Sequence, residues 1–296
     1  MSQEPRAFPA PAGVVYNTTM ARADAALALG ALYVSASRRE ARVGGICVSN
    51  AGLDAAIFCD IVARFYTGQS RTPSSNAVLP IGFAAASPPM SAPMVETVVA
   101  KKREDGAPRY VRSIHRIADT GQPEALLRNA VTFSAETVVI LSAPATALAR
   151  SVELAGTIGQ YKQRVKRVMI VDAGGASQDA AALSALVAAL PVPVIFCGRE
   201  IGDALSLPLS RVENGFTWAS ANPVLDACRA SGESTIALND VAALYYAIHP
   251  ASGFFTVSDS GPTRRLVVES AKTEECAAAL VALATSKPSA PPARGG

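Results

Sequence analysis

The chain has 296 residues, 50% of them hydrophobic, 17% charged and 6% aromatic, with a formal net charge of +3. This length supports a large buried core, as one big α/β domain or as two smaller ones. Positive residues are scattered, no basic stripe is interleaved with aromatics, and no apolar run reaches membrane-spanning length, so neither nucleic acid nor a membrane is an expected partner.

The dense charged run KKRED, Lys101 to Asp105, mixes both signs and reads as a solvated loop. The five cysteines are widely spaced, odd in number and without a Cys-x-x-Cys pair, so no disulfide framework is expected. Cys47, Cys59 and Cys197 lie in apolar runs and read as small core residues. With only His115 and His249, an ordinary zinc site is not expected. The opening MSQEPRAFPAPAG lacks the apolar stretch of a signal peptide. A cytoplasmic location is expected if the chain is complete, and a periplasmic or secreted one if Met1 replaces a removed leader. Both ends are rich in Pro and Ala. Residues 1–12 and 286–296 are expected to be flexible arms around a single α/β domain over 13–285.

Several units repeat one plan: a short β-branched run, a turn of small residues, then an Ala/Leu-rich helix. GVVY leads to a helix around Asp24 to Val34, and ARVGGICVS leads through Asn50 to the helix LDAAIFCDIVARFY. NAVLPIGFA reads as another strand, followed by a Pro/Ser/Met loop. QPEALLRNAVTF is a helix with Pro123 near its start. ETVVILS leads through APAT to ALARSVELAG, VKRVMIVDAGG leads to SQDAAALSALVAAL, and VPVIFCG leads into a short helix near Glu200. NPVLDACRA is a helix after Asn222, and NDVAALYYAIHP is another, ended by Pro250. GFFTVSD and RRLVVES suit a late antiparallel pair. TEECAAALVALATS is a final helix with Thr273 as its expected N-cap. Apolar strands alternating with helices predict an open, mostly parallel sheet covered by helices on both faces.

Ligands of such sheets bind beyond the carboxyl ends of the strands. The residues there are Asn17 to Asp24, Asn50, Ser142 to Thr146, Asp172 to Gly175 and Glu200, with Asp240 heading a late helix. By residue type alone, Asn17 and Thr18 suit a turn or a cap as well as a site. Asn50 suits an N-cap, and Glu200 suits a charge at a helix N-terminus. VDAGGASQDAA has neither the Gly-x-Gly-x-x-Gly nor the Gly-Lys-Ser/Thr spacing of a phosphate loop. No Gly-x-Ser-x-Gly elbow is present.

NTTMARADAALALGAL resembles the opening of the inosine-uridine preferring nucleoside hydrolases, which begin Asp-Thr-Asp, a short turn, then Asp-Asp-Ala-x-Ala-Leu. ICVSNAGLDAA is similar to that family's second strand ending in Gly-Asn. ETVVILSAPATALARSVEL is similar to its strand followed by Gly-Pro-Leu-Thr-Asn and a helix. VKRVMIVDAGGA is similar to its strand ending in Met-Gly-Gly, and ALNDVAALYYAIHP to its late helix with a metal-binding Asp. These matches follow the family's order from about Val14 to Phe255.

The resemblance implies a nucleoside hydrolase-like α/β fold. In that family the first-turn acids, a middle carbonyl and the late Asp hold one calcium ion. The ion binds the sugar hydroxyls and the attacking water, one acid is the base for that water, and the carbon–nitrogen bond breaks through an oxocarbenium-like state. Carried across, Asn17 and Thr19 fall on the two leading acids, and Asp24 is the one carboxylate left of four. Asn50 and Thr146 match the family's Asn and Thr. Asp240 matches the late metal-binding Asp, and Asn239 stands where some members have His. The loop that ends in Glu-Phe-Asn and grips ribose is absent, since GGAS passes almost directly to QDAAALSAL.

The resemblance therefore implies ligand-binding positions at Asn17, Thr19, Asp24, Asn50, Thr146 and Asn239, and a weak, unoccupied metal position at Asp24 and Asp240. The expected protein is a degenerate homologue that binds a nucleoside or ribose-like molecule, with no cofactor and without ordinary hydrolase activity. The alternative is an active N-ribosyl hydrolase with calcium held by rearranged ligands, drawn from Asp172, Asp179 or Glu200. The apolar LYYAIHP segment and the Ala-rich helices suit a homo-oligomer.

Overall fold

The computed structural model describes residues 11–68, 81–85, 91–132, 134–260 and 263–289. Ten strands lie among them: β1 (Ala12–Thr18), β2 (Ala41–Ala51), β3 (Ile81–Ala85), β4 (Thr137–Ser142), β5 (Val165–Val171), β6 (Val194–Cys197), β7 (Ser206–Pro208), β8 (Thr235–Ala237), β9 (Phe255–Ser260) and β10 (Thr263–Val268). Eight form one sheet in the order β3-β2-β1-β4-β5-β6-β10-β9, while β7 and β8 pair separately. Neighbours from β3 to β10 are parallel, and only the edge strand β9 runs antiparallel, on β10. The fold expected from the sequence is thus observed.

Two buried cores sandwich the sheet, because residues along a strand alternate between its faces. Val14 and Tyr16 point into one core, beneath helices Ala23–Ser37, Leu53–Tyr66, Pro93–Ala100, Pro223–Ala230, Asn239–Ile248 and Thr273–Thr285. Val15 points into the other, beneath helices Pro123–Ala130, Thr146–Glu153, Thr157–Arg164 and Ala180–Ala189. Side chains such as Leu27, Phe58 and Leu148 are wholly buried, each contributing roughly 1.5–3 kcal/mol. Gly44 and Gly45 let helix Pro123–Ala130 lie close on β2. A Cβ on Gly45 would stand 2.8 Å from the Ala130 Cβ.

Strand order reverses between β1 and β4, the first of which continues outward to β2 and β3, the second to β5 and β6. This switch point opens a crevice beyond the carboxyl ends of β1 and β4, the usual ligand position in such sheets. The Thr19 N–H donates across it to the Ser142 carbonyl at 3.3 Å.

Several local expectations are corrected. Asn50 does not cap a helix: β2 runs through it to Ala51, and Gly52 precedes the helix that starts at Leu53. The Asn50 side chain lies outside the described residues. Lys272, not Thr273, occupies the cap position of the last helix, and the Thr273 hydroxyl donates instead to the Ser270 carbonyl at 3.1 Å. Ala12, placed in the N-terminal arm, pairs with Ala41 in the sheet. Of the C-terminal tail, Ser289 donates its N–H to the Ser37 hydroxyl at 2.9 Å. Residues 1–10 and 290–296, the first part of the NAVLPIGFA strand and most of the Pro/Ser/Met loop lie outside the described residues. The five cysteines are buried and free. No helix of the described residues is long and apolar enough to cross a membrane.

Candidate functional site

The turn after β1 holds itself together. The Thr18 hydroxyl accepts the Met20 N–H at 3.1 Å, and the Thr19 hydroxyl accepts the Ala21 N–H at 3.3 Å. These bonds support Met20 in a left-handed conformation, with φ of 54°, that non-glycine residues seldom adopt. Arg22 then reaches across the end of the sheet, its guanidinium 3.5 Å from the carbonyls of Ala173 and Ala237.

Asp24 lies in the first turn of the next helix and is fully buried. Its two oxygens accept the backbone N–H groups of Asp240 at 2.6 Å and Val241 at 3.2 Å. It therefore caps helix Asn239–Ile248 from a position 216 residues away, satisfying donors that a helix start leaves open. Asp240 is also fully buried. Its Oδ1 accepts the Tyr16 hydroxyl at 2.7 Å, and its Oδ2 has no partner. Burial, followed by the neighbouring Asp240 carboxylate, holds the Asp24 carboxyl well above its ordinary range. Burial and Asp240 likewise raise the Tyr16 phenol. Asn239 turns away from the crevice, donating from Nδ2 to the Gly198 carbonyl at 2.8 Å, while its own carbonyl accepts the Cys197 thiol at 3.3 Å.

Asn17 follows Tyr16 and faces the other core. Its Oδ1 accepts the Ser49 hydroxyl at 2.8 Å, and its Nδ2 is buried without a partner. Ser49 borders an open cavity of about 450 Å³ beyond the ends of β2, β3 and β4. Glu124, Thr146, Arg150, Gln178 and Asp179 supply the rest of its polar lining. The Thr146 hydroxyl donates to Asp179 at 2.5 Å, and Asp179 also caps helix Ala180–Ala189 through the Ala182 N–H at 3.0 Å. These two bonds, Thr146 first, hold the Asp179 carboxyl below its ordinary range.

The candidate residues therefore separate into two groups. Asp24, Asn239 and Asp240 form a dry knot on one face of the sheet. Thr146 and, through Ser49, Asn17 belong to the open cavity on the other, while the Thr19 hydroxyl is used within its turn. Glu200 is exposed and meets Arg265 at 3.4 Å, and Asp172 is exposed at the end of β5. Among the described residues, no group of three or more His, Cys, Asp or Glu side chains could hold a metal. Sequence reading passed over Tyr16, an ordinary buried strand residue by pattern. It also passed over Ser49, Glu124, Arg150 and Gln178, which line the cavity but carry no motif.

No family model matches the sequence, and no curated protein does. Solved structures do match the fold. A plant nucleoside hydrolase aligns with a TM-score of 0.64 at 16% identity, covering 93% of this chain and 99% of that one. The inosine-uridine preferring nucleoside hydrolase of Bacillus anthracis gives 0.63 at 14% identity, covering 92% and 99%. The type III effector protein XopQ, solved in complex with adenosine diphosphate ribose, gives 0.62 at 14% identity, covering 94% and 93%. The chain has the nucleoside hydrolase fold.

Proposed function

We propose that this protein binds a nucleoside or ribose-like small molecule in the cavity bordered by Ser49, Thr146 and Asp179, and that it lacks ordinary N-ribohydrolase activity. The observation that carries this reading is the commitment of Asp24 and Asp240 to the fold. Calcium takes about six to eight oxygen ligands and gains affinity with each carboxylate. Both Asp24 oxygens accept helix N–H groups and one Asp240 oxygen accepts Tyr16, leaving a single free carboxylate oxygen in the knot. These residues do not fit a calcium ion.

Hydrolysis also needs a group to take a proton from water. Asn17 and Thr19, at the family's leading acid positions, are poor bases, and both are already hydrogen-bonded, Asn17 to Ser49 on β2 and Thr19 within its own turn. The cavity retains what recognition of a polyol needs. Hydroxyls, two carboxylates and a guanidinium stand around a concavity within the roughly 300–1,000 Å³ range of small-molecule sites.

One observation favours the alternative of an active N-ribosyl hydrolase: Glu124 and Asp179 share the cavity, so carboxylates are available there. Titration with calcium and with ribose, followed by base release from inosine and uridine, separates the readings. We expect a thermal shift with ribose or a nucleoside, none with calcium, and no turnover. Tight calcium binding with turnover at ordinary enzyme rates would establish the alternative.

A further inference from the structure

Cations also gather at the other end of the sheet. Opposite the cavity described above, at the amino ends of β1, β2, β4 and β5, lies a second concavity of about 1400 Å³. Arg38, Arg39, Arg42, Lys166 and Arg167 line it, against the acids Glu40 and Glu136. Five cations face two acids there, a local excess of three positive charges.

Each acid already has a neighbour. Glu136 meets Lys166 at 3.0 Å, and Glu40 lies 3.8 Å from the His249 ring nitrogen. Arg167 sits 5.2 Å over the Tyr246 ring. The side chains of Arg38, Arg39 and Arg42 form no ion pair among the described residues.

Arg39 adds a separate observation. It follows the end of helix Ala23–Ser37 with a φ of 62°, a position where helices usually place glycine or asparagine. An arginine there costs backbone strain, and such strain is commonly retained where the side chain has a task. The carbonyls of the helix end favour nearby cations and account for part of Arg38 and Arg39. They do not account for Arg42 on β2 or for Lys166 and Arg167 on β5. The opposite wall is aromatic. Tyr245 and Phe254 lie 5.9 Å apart, and His249 lies 4.9 Å from Tyr245.

We propose that this concavity is a second ligand site, for a small molecule carrying both phosphate and a planar ring, of the nucleoside phosphate class. Guanidinium groups recognise phosphate through paired, charge-assisted hydrogen bonds. The aromatic wall offers a stacking surface for the ring.

Calorimetric titration of the full chain with ADP, inorganic pyrophosphate and adenosine tests it. ADP should bind, more weakly as salt is raised. Pyrophosphate should bind less tightly, and adenosine least at this site. The pair Arg38→Ser and Arg42→Ser should weaken ADP by about tenfold without lowering the melting temperature. Arg39→Gly should weaken ADP while relieving backbone strain, so a loss there is not a folding defect. Thr146→Val, in the other cavity, should leave pyrophosphate affinity unchanged, and the arginine pair should leave ribose affinity unchanged, which keeps this site distinct from the proposed function. Absence of ADP binding at millimolar concentration, or ADP binding indifferent to the arginine substitutions, would overturn the site. Equal affinity for pyrophosphate and ADP would overturn the role of the ring.

Discussion

Two polar regions flank the carboxyl end of the same sheet and use their acids in opposite ways. The knot of Tyr16, Asp24 and Asp240 is wholly buried. The cavity of Ser49, Thr146 and Asp179 is open. One residue step along β1 separates them, since Tyr16 faces one core and Asn17 the other. On the closed side, Asp24 is raised by burial and serves a helix start. On the open side, Asp179 is lowered by its hydrogen bonds and also caps a helix, but it remains available to a ligand. A carboxylate at a strand end is thus no sign of chemistry by itself. What matters is whether its oxygens are already used and whether solvent reaches them.

The largest expected effect comes from removing the two caps in turn. Asp24→Ala leaves two buried N–H groups of helix Asn239–Ile248 without acceptors, each costing about 1–3 kcal/mol. Asp179→Ala removes an accessible N-cap worth about 1 kcal/mol. Urea denaturation should therefore show a drop of about 2–6 kcal/mol for the first variant, and a much smaller one for the second. Equal losses would erase the distinction between a closed knot and an open cavity. Gly202→Ala attacks the knot from its rim, because a Cβ there collides with the Asn239 side chain. It should cost about 1–3 kcal/mol by the same measurement.

The pH dependence sharpens the comparison at a smaller scale. Asp24 holds its proton more firmly in the folded chain than in the unfolded one, so the folded state binds more protons in that window. The associated stability is complete below the unfolded carboxylate pKa of about 3.9 and declines as pH rises toward the raised folded value. Asp179 has the opposite sign, its contribution being lost as pH falls. Urea midpoints measured from acid to neutral pH should show a downward component on rising pH that Asp24→Asn removes. A profile that Asp24→Asn leaves unchanged would mean that the fold does not shift the Asp24 carboxyl at all.

Much of this architecture is legible in the chain. The apolar runs GVVY, ETVVIL and VMIV mark central strands, and Ala-rich stretches mark the helices that cover them. The pairing of β9 with β10 follows from two short β-branched runs close in sequence. Elements with weaker patterns are not legible. Helix Thr157–Arg164, TIGQYKQR, is mostly polar and anchors chiefly through the buried Tyr161. Strands β7 and β8 have three residues each. The knot is beyond sequence reading for a different reason. Local pattern places Asp24 in a helix, but the N–H groups that it accepts lie more than two hundred residues away. Thr273 and Asn50 show the converse limit, since residue type suggests a cap while backbone position, one or two residues off, decides it.

The smallest structural effect should separate ligand recognition from folding. Thr146 is half-buried, and its hydroxyl donates to Asp179 at the cavity wall. Thr146→Val keeps the shape and removes that donor, leaving Asp179 its bond from the Ala182 N–H and access to water. A hydrogen bond in such a place contributes about 0.5–1.5 kcal/mol, so the melting temperature should move by only a few degrees. Binding of ribose or a nucleoside should suffer more, because a ligand hydroxyl would then meet a methyl group in place of a hydroxyl, and Asp179 would lose the partner that orients it. The check is to measure both on one preparation, with Asn239→Ala as the counterpart in the knot. Thr146→Val should reduce ligand affinity while largely sparing stability, and Asn239→Ala should lower stability while sparing the affinity of the protein that remains folded. The reverse result would move the binding site from the open cavity to the buried side of the sheet.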